Sequence, residues 1–195
     1  MCGNVGALRV SLGAALHWYD GQVLSARAAP PTAREWLFEN GSLTRRLMHL
    51  CGDQFCVKLL DERRIRPYHD ESRMMAIRGG EQARVRRVLL CAGERPLVYA
   101  RTVIPLSTLH GGEARRLAYL GERPLGALLF TCKGVRRSAM QLSQVSARAL
   151  YPSLPESAVW GRRSVFYLAD KPLLVSEFFL PALFELIARA DEGEL

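Results

Sequence analysis

The chain has 195 residues, of which 49% are hydrophobic and 24% charged, a balance that fits one globular domain with one substantial core. Its formal net charge of +8 favours anionic ligands without choosing between a nucleic acid and a small metabolite. No apolar run reaches the roughly 18 residues of a membrane span, and the apolar stretch 5–16 is broken by Arg9 and lacks a basic start and a cleavage site, so the expectation is a cytoplasmic protein without a signal peptide.

Residues 1–31 show no clean period and end in Ala29-Pro30-Pro31, a loosely ordered lead-in to one domain over 32–195. Thr32 and Glu35 have capping-box spacing, which predicts a short helix through Trp36 and Leu37. Asn40-Gly41 ends it. Ser42 then caps a second helix whose Leu43, Leu47, Leu50 and Cys51 form one apolar stripe, stopped at Gly52. Residues 55–60 read as a strand. The runs 84–91 and 97–104 pair as a hairpin with a five-residue loop at 92–96. Residues 113–120 read as a helix stopped by Gly121. Residues 128–132 and 135–145 resume the sheet around a turn at Lys133-Gly134, and 146–159, with Pro152 and Pro155, reads as a connecting loop. A last hairpin joins 164–168 to 173–179, and Pro181 opens a closing helix over 182–190. Strands clustered in the middle with helices at both ends predict an α+β single domain, an antiparallel β-sheet flanked by helices. There is no internal repeat, and no GxGxxG, P-loop or HExxH motif.

The five cysteines (Cys2, Cys51, Cys56, Cys91, Cys132) form no CxxC pair, and no histidine follows at zinc-site spacing. They read as small buried hydrophobes, and no metal is expected. The four histidines are scattered. Basic residues recur as Arg-Arg pairs at 45–46, 63–64, 86–87, 115–116, 136–137 and 162–163, most of which read as solvated surface. Trp160, before Gly161-Arg162-Arg163-Ser164, is a ligand platform or, more commonly for a lone tryptophan, a core anchor.

Two charges fall where strand alternation expects apolar residues. Arg86 shares a face with Val88 and Leu90, and Glu177 shares one with Leu173, Val175 and Phe179. A charge facing the core is costly unless it is partnered. Either the two line one cavity, as an anion-binding guanidinium and a tuned carboxylate, or they pair with each other, or a shifted register puts one in solvent. Periodicity alone leaves these readings open.

Several ordered blocks carry a resemblance. They are Trp36-Leu37, the run Gly41 to Arg46, the run Arg86 to Cys91, the run Ala100 to Pro105, Pro124-Leu125-Gly126 and Leu129-Phe130. Trp160-Gly161-Arg162-Arg163-Ser164, the run Lys171 to Glu177 and Phe179-Leu180-Pro181 follow. Over residues 34–181 the chain resembles the bacterial chorismate pyruvate-lyases. The resemblance implies the chorismate lyase-like fold and a cofactor-free lyase. That lyase eliminates pyruvate from chorismate to give 4-hydroxybenzoate, the first committed step of ubiquinone biosynthesis in bacteria. It carries substrate- and product-binding roles onto Leu43, Arg86, Leu125 and Glu177, with Arg86 and Glu177 as the catalytic residues. Leu43 stands where a family member has methionine, a volume-conserving difference. The lead-in and the 146–159 loop are longer than in compact members.

On that reading Arg86 clamps a substrate carboxylate bidentately, as a lysine could not. Glu177 takes the hydroxyl end of the ring and handles protons. Leu43 and Leu125 form apolar walls, while Arg162 and Arg163 are extra guanidiniums without an assigned contact. The expected partners are chorismate and 4-hydroxybenzoate alone, bound by a monomer. Nucleic acid is not expected, since the basic residues form no contiguous stripe with interleaved aromatics. Ligand-sensing domains of some bacterial transcription regulators share the fold. The 31 residues before Thr32 are too few for the helix-turn-helix domain those regulators carry.

Overall fold

The computed structural model describes residues 16–20, 29–110, 112–129, 132 and 134–193, with residues 112–115 described by their backbone alone. An edge strand β1 (Tyr19–Asp20) precedes the helices α1 (Pro31–Leu37) and α2 (Leu43–Cys51). The long strand β2 (Phe55–Ile65), the short helix α3 (His69–Met74) and a hairpin of β3 (Ala83–Ala92) and β4 (Arg95–Pro105) follow. Helix α4 (Leu106–Leu109), a 3-10 segment (Gly112–Tyr119) and α5 (Leu125–Leu129) then cross one face of the sheet. The chain continues through β5 (Arg136–Arg137), β6 (Gln141–Ser146) and α6 (Ala147–Leu150). A second hairpin, β7 (Ala158–Leu168) and β8 (Lys171–Phe179), leads into α7 (Pro181–Asp191).

Among the described residues, eight strands make one antiparallel sheet in the order β1, β6, β7, β8, β4, β3, β2, with β5 also on β7. The expected α+β architecture is therefore present. Both hairpins close more tightly than the sequence suggests. Ala92 pairs with Arg95, so the first loop is Gly93-Glu94 rather than five residues, with Gly93 at φ +56°. Ala169 and Asp170 have φ of 46° and 66°, the left-handed pair that a two-residue hairpin turn needs.

Several other elements differ from expectation. The first helix starts at Pro31, with proline at its first position and no side-chain cap, so Thr32 and Glu35 make no capping box. The second helix forms as expected, with Ser42 Oγ accepting from Arg45 N at 3.3 Å. The first long strand runs on to Ile65, well past residue 60. Leu128 and Leu129 end a helix and do not begin a strand; Leu125 and Leu129 sit one turn apart and face the core. The turn expected at Lys133-Gly134 falls partly outside the described residues. The 146–159 segment contains α6 and the start of β7, and the polar helix α3 carries no apolar stripe that would have announced it.

Helices α1, α2 and α7 pack with Val57, Val88, Leu97 and Phe179 into one part of the core. The crossing packs Leu117, Leu120, Leu125 and Leu129 against Ile104, Phe166 and Leu173 in another. Gly161 is required by this packing: a Cβ there would lie 2.3 Å from the Phe178 ring on the neighbouring strand. Within the expected 1–31 lead-in, Tyr19 pairs with Leu142 and Trp18 stacks on Phe178, whereas residues 1–15 and 21–28 lie outside the described residues. No helix among the described residues is long and apolar enough to cross a membrane.

Candidate active site

The sheet register sets charged residues in rows across one face. Arg86 lies opposite Thr102, and Thr102 opposite Val175. In the next row Val88, Ala100, Glu177 and Arg162 stand in line, and Arg137 faces Phe166 across the β5–β7 pairing. The crossing and α2 roof this face. Between roof and sheet lies a partly open, largely apolar cavity. Leu43, Arg86, Leu125, Arg137, Arg162, Phe166 and Glu177 all line it.

Arg86 is buried and tied to the roof. Its Nε and Nη2 donate to the Gly121 carbonyl at 3.2 and 2.8 Å, and Nη2 also donates to the Arg123 carbonyl at 3.1 Å. Burial pulls its pKa below the usual arginine value, opposed by the field of Glu62. The two backbone carbonyls occupy the Nε–Nη2 edge. Nη1 is the donor left for a ligand, so the fork-to-fork clamp expected of Arg86 does not fit this arrangement.

Glu177 and Arg86 do not pair; each is held by other groups. Glu177 Oε2 accepts from Arg162 Nε at 2.7 Å, and Oε1 accepts no hydrogen bond from the described residues. Arg162 is 1% exposed. Its Nη1 donates to the Trp36 carbonyl at 2.8 Å and the Glu39 carbonyl at 2.7 Å, which satisfies the C-terminal end of α1. One guanidinium thus fixes both the carboxylate and the helix behind it.

Leu43 and Leu125 are each the first residue of a helix and contribute apolar side chains to the wall. The backbone N–H groups of Leu43 and Thr44 have no acceptor within α2, so the helix also brings donors and its positive end to the cavity. The α2–α5 approach needs Gly126, because a Cβ there would lie 2.6 Å from Thr44 Oγ1.

The opposite face of the same strands carries the other members of the Arg-Arg pairs. Arg87 Nε donates to Asp61 at 2.7 Å, and Arg163 Nη1 donates to Asp70 at 2.5 Å. Arg101 binds Glu71 through two bonds of 2.7 and 3.0 Å. Tyr68 stacks on Arg101 and Trp18 on Arg163; the Arg101–Glu71 pair is buried on both sides, whereas Asp70 stays half exposed. Arg136 pairs with Asp170 at the surface.

The chorismate lyase family model matches residues 15–188. The chain belongs to the chorismate lyase family. It is 44% identical to a "Probable chorismate pyruvate-lyase" of Methylococcus capsulatus, over 77% of this chain and 96% of that protein. It is 43% identical to one of Thiobacillus denitrificans, over 84% of this chain and 90% of that protein. Among solved structures, the effector domain of PhnF from Mycobacterium smegmatis matches with a TM-score of 0.49 and 12% identity, over 66% of this chain and 82% of that one.

In this chorismate lyase-family chain, Leu43, Arg86, Leu125 and Glu177 come together in one cavity. Arg162 joins them through Glu177, and Arg163 faces away, bound to Asp70. Sequence reasoning missed Arg137 and gave Arg162 no contact. Starting the seventh strand at Ala158 instead of Ser164 would have placed Arg162 on the apolar face with Ser164 and Phe166. No cluster of three or more His, Cys, Asp or Glu suited to a metal ion occurs among the described residues.

Proposed function

We propose that this cavity eliminates pyruvate from chorismate to give 4-hydroxybenzoate, as the names of the relatives suggest for them and as the first committed step of ubiquinone biosynthesis requires. The observation that carries the reading is a roofed, largely apolar cavity lined by three guanidiniums and one carboxylate. Chorismate is a dianion on a cyclohexadiene ring. The ether bond between the ring and the enolpyruvyl oxygen breaks, and the hydrogen on the hydroxyl-bearing carbon departs. That proton ends on the enolpyruvyl methylene, which becomes the methyl group of pyruvate, and the ring becomes aromatic. Atoms and electrons balance with no further reactant.

The protein's task is to bind, orient and exclude water. Arg86 offers Nη1 to the ring carboxylate, with the free N–H groups at the start of α2 beside it. Glu177, fixed by Arg162, presents Oε1 as an acceptor to the ring hydroxyl and to the departing proton. Leu43 and Leu125 hold the faces of the flat ring. Because Arg86 also ties down the Gly121 and Arg123 carbonyls, ligand binding and roof closure share one side chain. The test is purified protein with chorismate, followed by 4-hydroxybenzoate absorbance and by coupled pyruvate detection. Equimolar appearance of both products supports the reading, and chorismate left unchanged overturns it.

A further inference from the structure

We propose that Arg137 receives the second carboxylate of the substrate, the one on the enolpyruvyl arm, and so distinguishes substrate from product. The inference rests on the chorismate reading of the cavity and adds to it a residue and a selectivity.

Of the three guanidiniums on the cavity wall, Arg162 is neutralised by Glu177. Arg86 and Arg137 make no ion pair with any described residue. Two cations without a directly paired carboxylate match two carboxylates, and chorismate carries two, whereas 4-hydroxybenzoate carries one. The lyase reaction leaves the second on pyruvate. A cavity shaped only for the aromatic product would need one free cation.

The local geometry of Arg137 points the same way. Its Nε is buried without a hydrogen-bond partner among the described residues, and the one hydrogen bond it makes to them is long, Nη1 to the Glu39 carbonyl at 3.4 Å. Buried polar atoms are nearly always satisfied, so a buried Nε left unsatisfied on a partly buried guanidinium is unusual. Burial, together with the charge of Arg162 nearby, pulls its pKa below the usual arginine value, opposed by the fields of Glu177 and Glu39. The side chain is nevertheless held in place, its guanidinium 5.1 Å from the centre of the Phe166 ring. The group is thus oriented and charged, with donors left unspent among the described residues.

Position separates its role from that of Arg86. Along the sheet, β3, β4, β8, β7 and β5 are successive neighbours. The backbones that carry Arg86 and Arg137 therefore stand four strand spacings apart, roughly 19 Å. Their side chains reach towards the cavity from opposite sides, leaving space for a ring and its side arm. Arg137 also lines an adjoining depression with Asn40 and Val135, at the edge of the cavity where the arm would end.

The test compares two ligands on the same variants. For Arg137→Met, kcat/KM for chorismate is expected to fall about 10- to 100-fold, the loss of one charge-assisted bond. The Kd for 4-hydroxybenzoate by calorimetry should move less than about twofold. Arg137→Lys should recover part of kcat/KM, since charge returns without the planar fork. Pyruvate should compete with chorismate on the wild type and lose that competition in Arg137→Met. Unchanged kcat/KM, or equal losses for chorismate and 4-hydroxybenzoate, would overturn the assignment. If Arg137→Met binds no 4-hydroxybenzoate, Arg137→Lys decides: retained product binding with reduced kcat/KM supports the proposal, and joint loss overturns it. A wild type that leaves chorismate unchanged removes the functional reading and this inference with it. A normal wild type with an indifferent Arg137→Met removes only the inference.

Discussion

The two faces of this sheet use the same residue type in opposite ways. Strand alternation splits Arg86-Arg87 and Arg162-Arg163, one member to each face. On the face away from the cavity, Arg87, Arg101 and Arg163 are bound to Asp61, Glu71 and Asp70, and α3 supplies two of those three carboxylates. On the cavity face, Arg86 and Arg137 make no ion pair among the described residues, and Arg162 makes one with a carboxylate that is itself exposed to the ligand space. A buried cation without a counter-ion is costly, and replacing buried pairs by apolar residues is often neutral or better. The difference teaches that an arginine's role follows from its counter-ion. The paired ones join elements together, and the unpaired ones leave their charge for a substrate.

That contrast can be broken at several points. The largest expected effect is at Glu177. Glu177→Gln removes the acceptor for the departing proton and should lower turnover by about 10²–10⁴-fold in a single-turnover measurement. Turnover within about tenfold of wild type would reduce Glu177 to a group that only positions the ring. Arg162→Met should be felt in stability as well as activity. It leaves the partly buried Glu177 unpaired and α1 without its C-terminal donor, at a cost of about 1–3 kcal/mol or more in urea denaturation. A stability change below about 1 kcal/mol would mean that the pair is dispensable to the fold. The smallest effect concerns the ligand. Benzoate should bind about tenfold or more weakly than 4-hydroxybenzoate, because Oε1 of Glu177 loses its donor. Equal affinities by calorimetry would remove Glu177 from the hydroxyl site.

Much of the architecture was legible in the sequence because alternation and turn residues are local signals. Both hairpins form, though with tighter loops than expected, and the Ser42 cap, Gly52 as helix stop and Pro181 as helix start form as expected. Arg86 and Glu177 stood out because a charge interrupts an apolar face. Other features depend on tertiary context. Leu128 and Leu129 form an apolar run that a strand and a short buried helix share, and only packing beneath the roof makes it helical. Arg162 was unread because Gly161 and the prolines at 152 and 155 mimic a loop, although Gly161 is there to admit the Phe178 ring. Arg137 sits on a two-residue strand, too short for any period to show. The Arg-Arg pairs looked like surface because single-sequence reading does not reveal that Asp61 and Asp70 wait on the far face.

The most direct test of the central claim uses one dipeptide. Arg86→Met and Arg87→Met change adjacent residues that point to opposite faces. For Arg86→Met the account predicts a fall in kcat/KM for chorismate of roughly 10- to 100-fold or more, with the protein still folded. For Arg87→Met kcat/KM is expected within about twofold of wild type, with a stability loss of about 1–3 kcal/mol, the cost of leaving Asp61 with only its longer contact to the exposed Arg63 at 3.4 Å. Two variants with equal catalytic losses, or an Arg86→Met enzyme with unchanged kcat/KM, would contradict the division of labour between the faces.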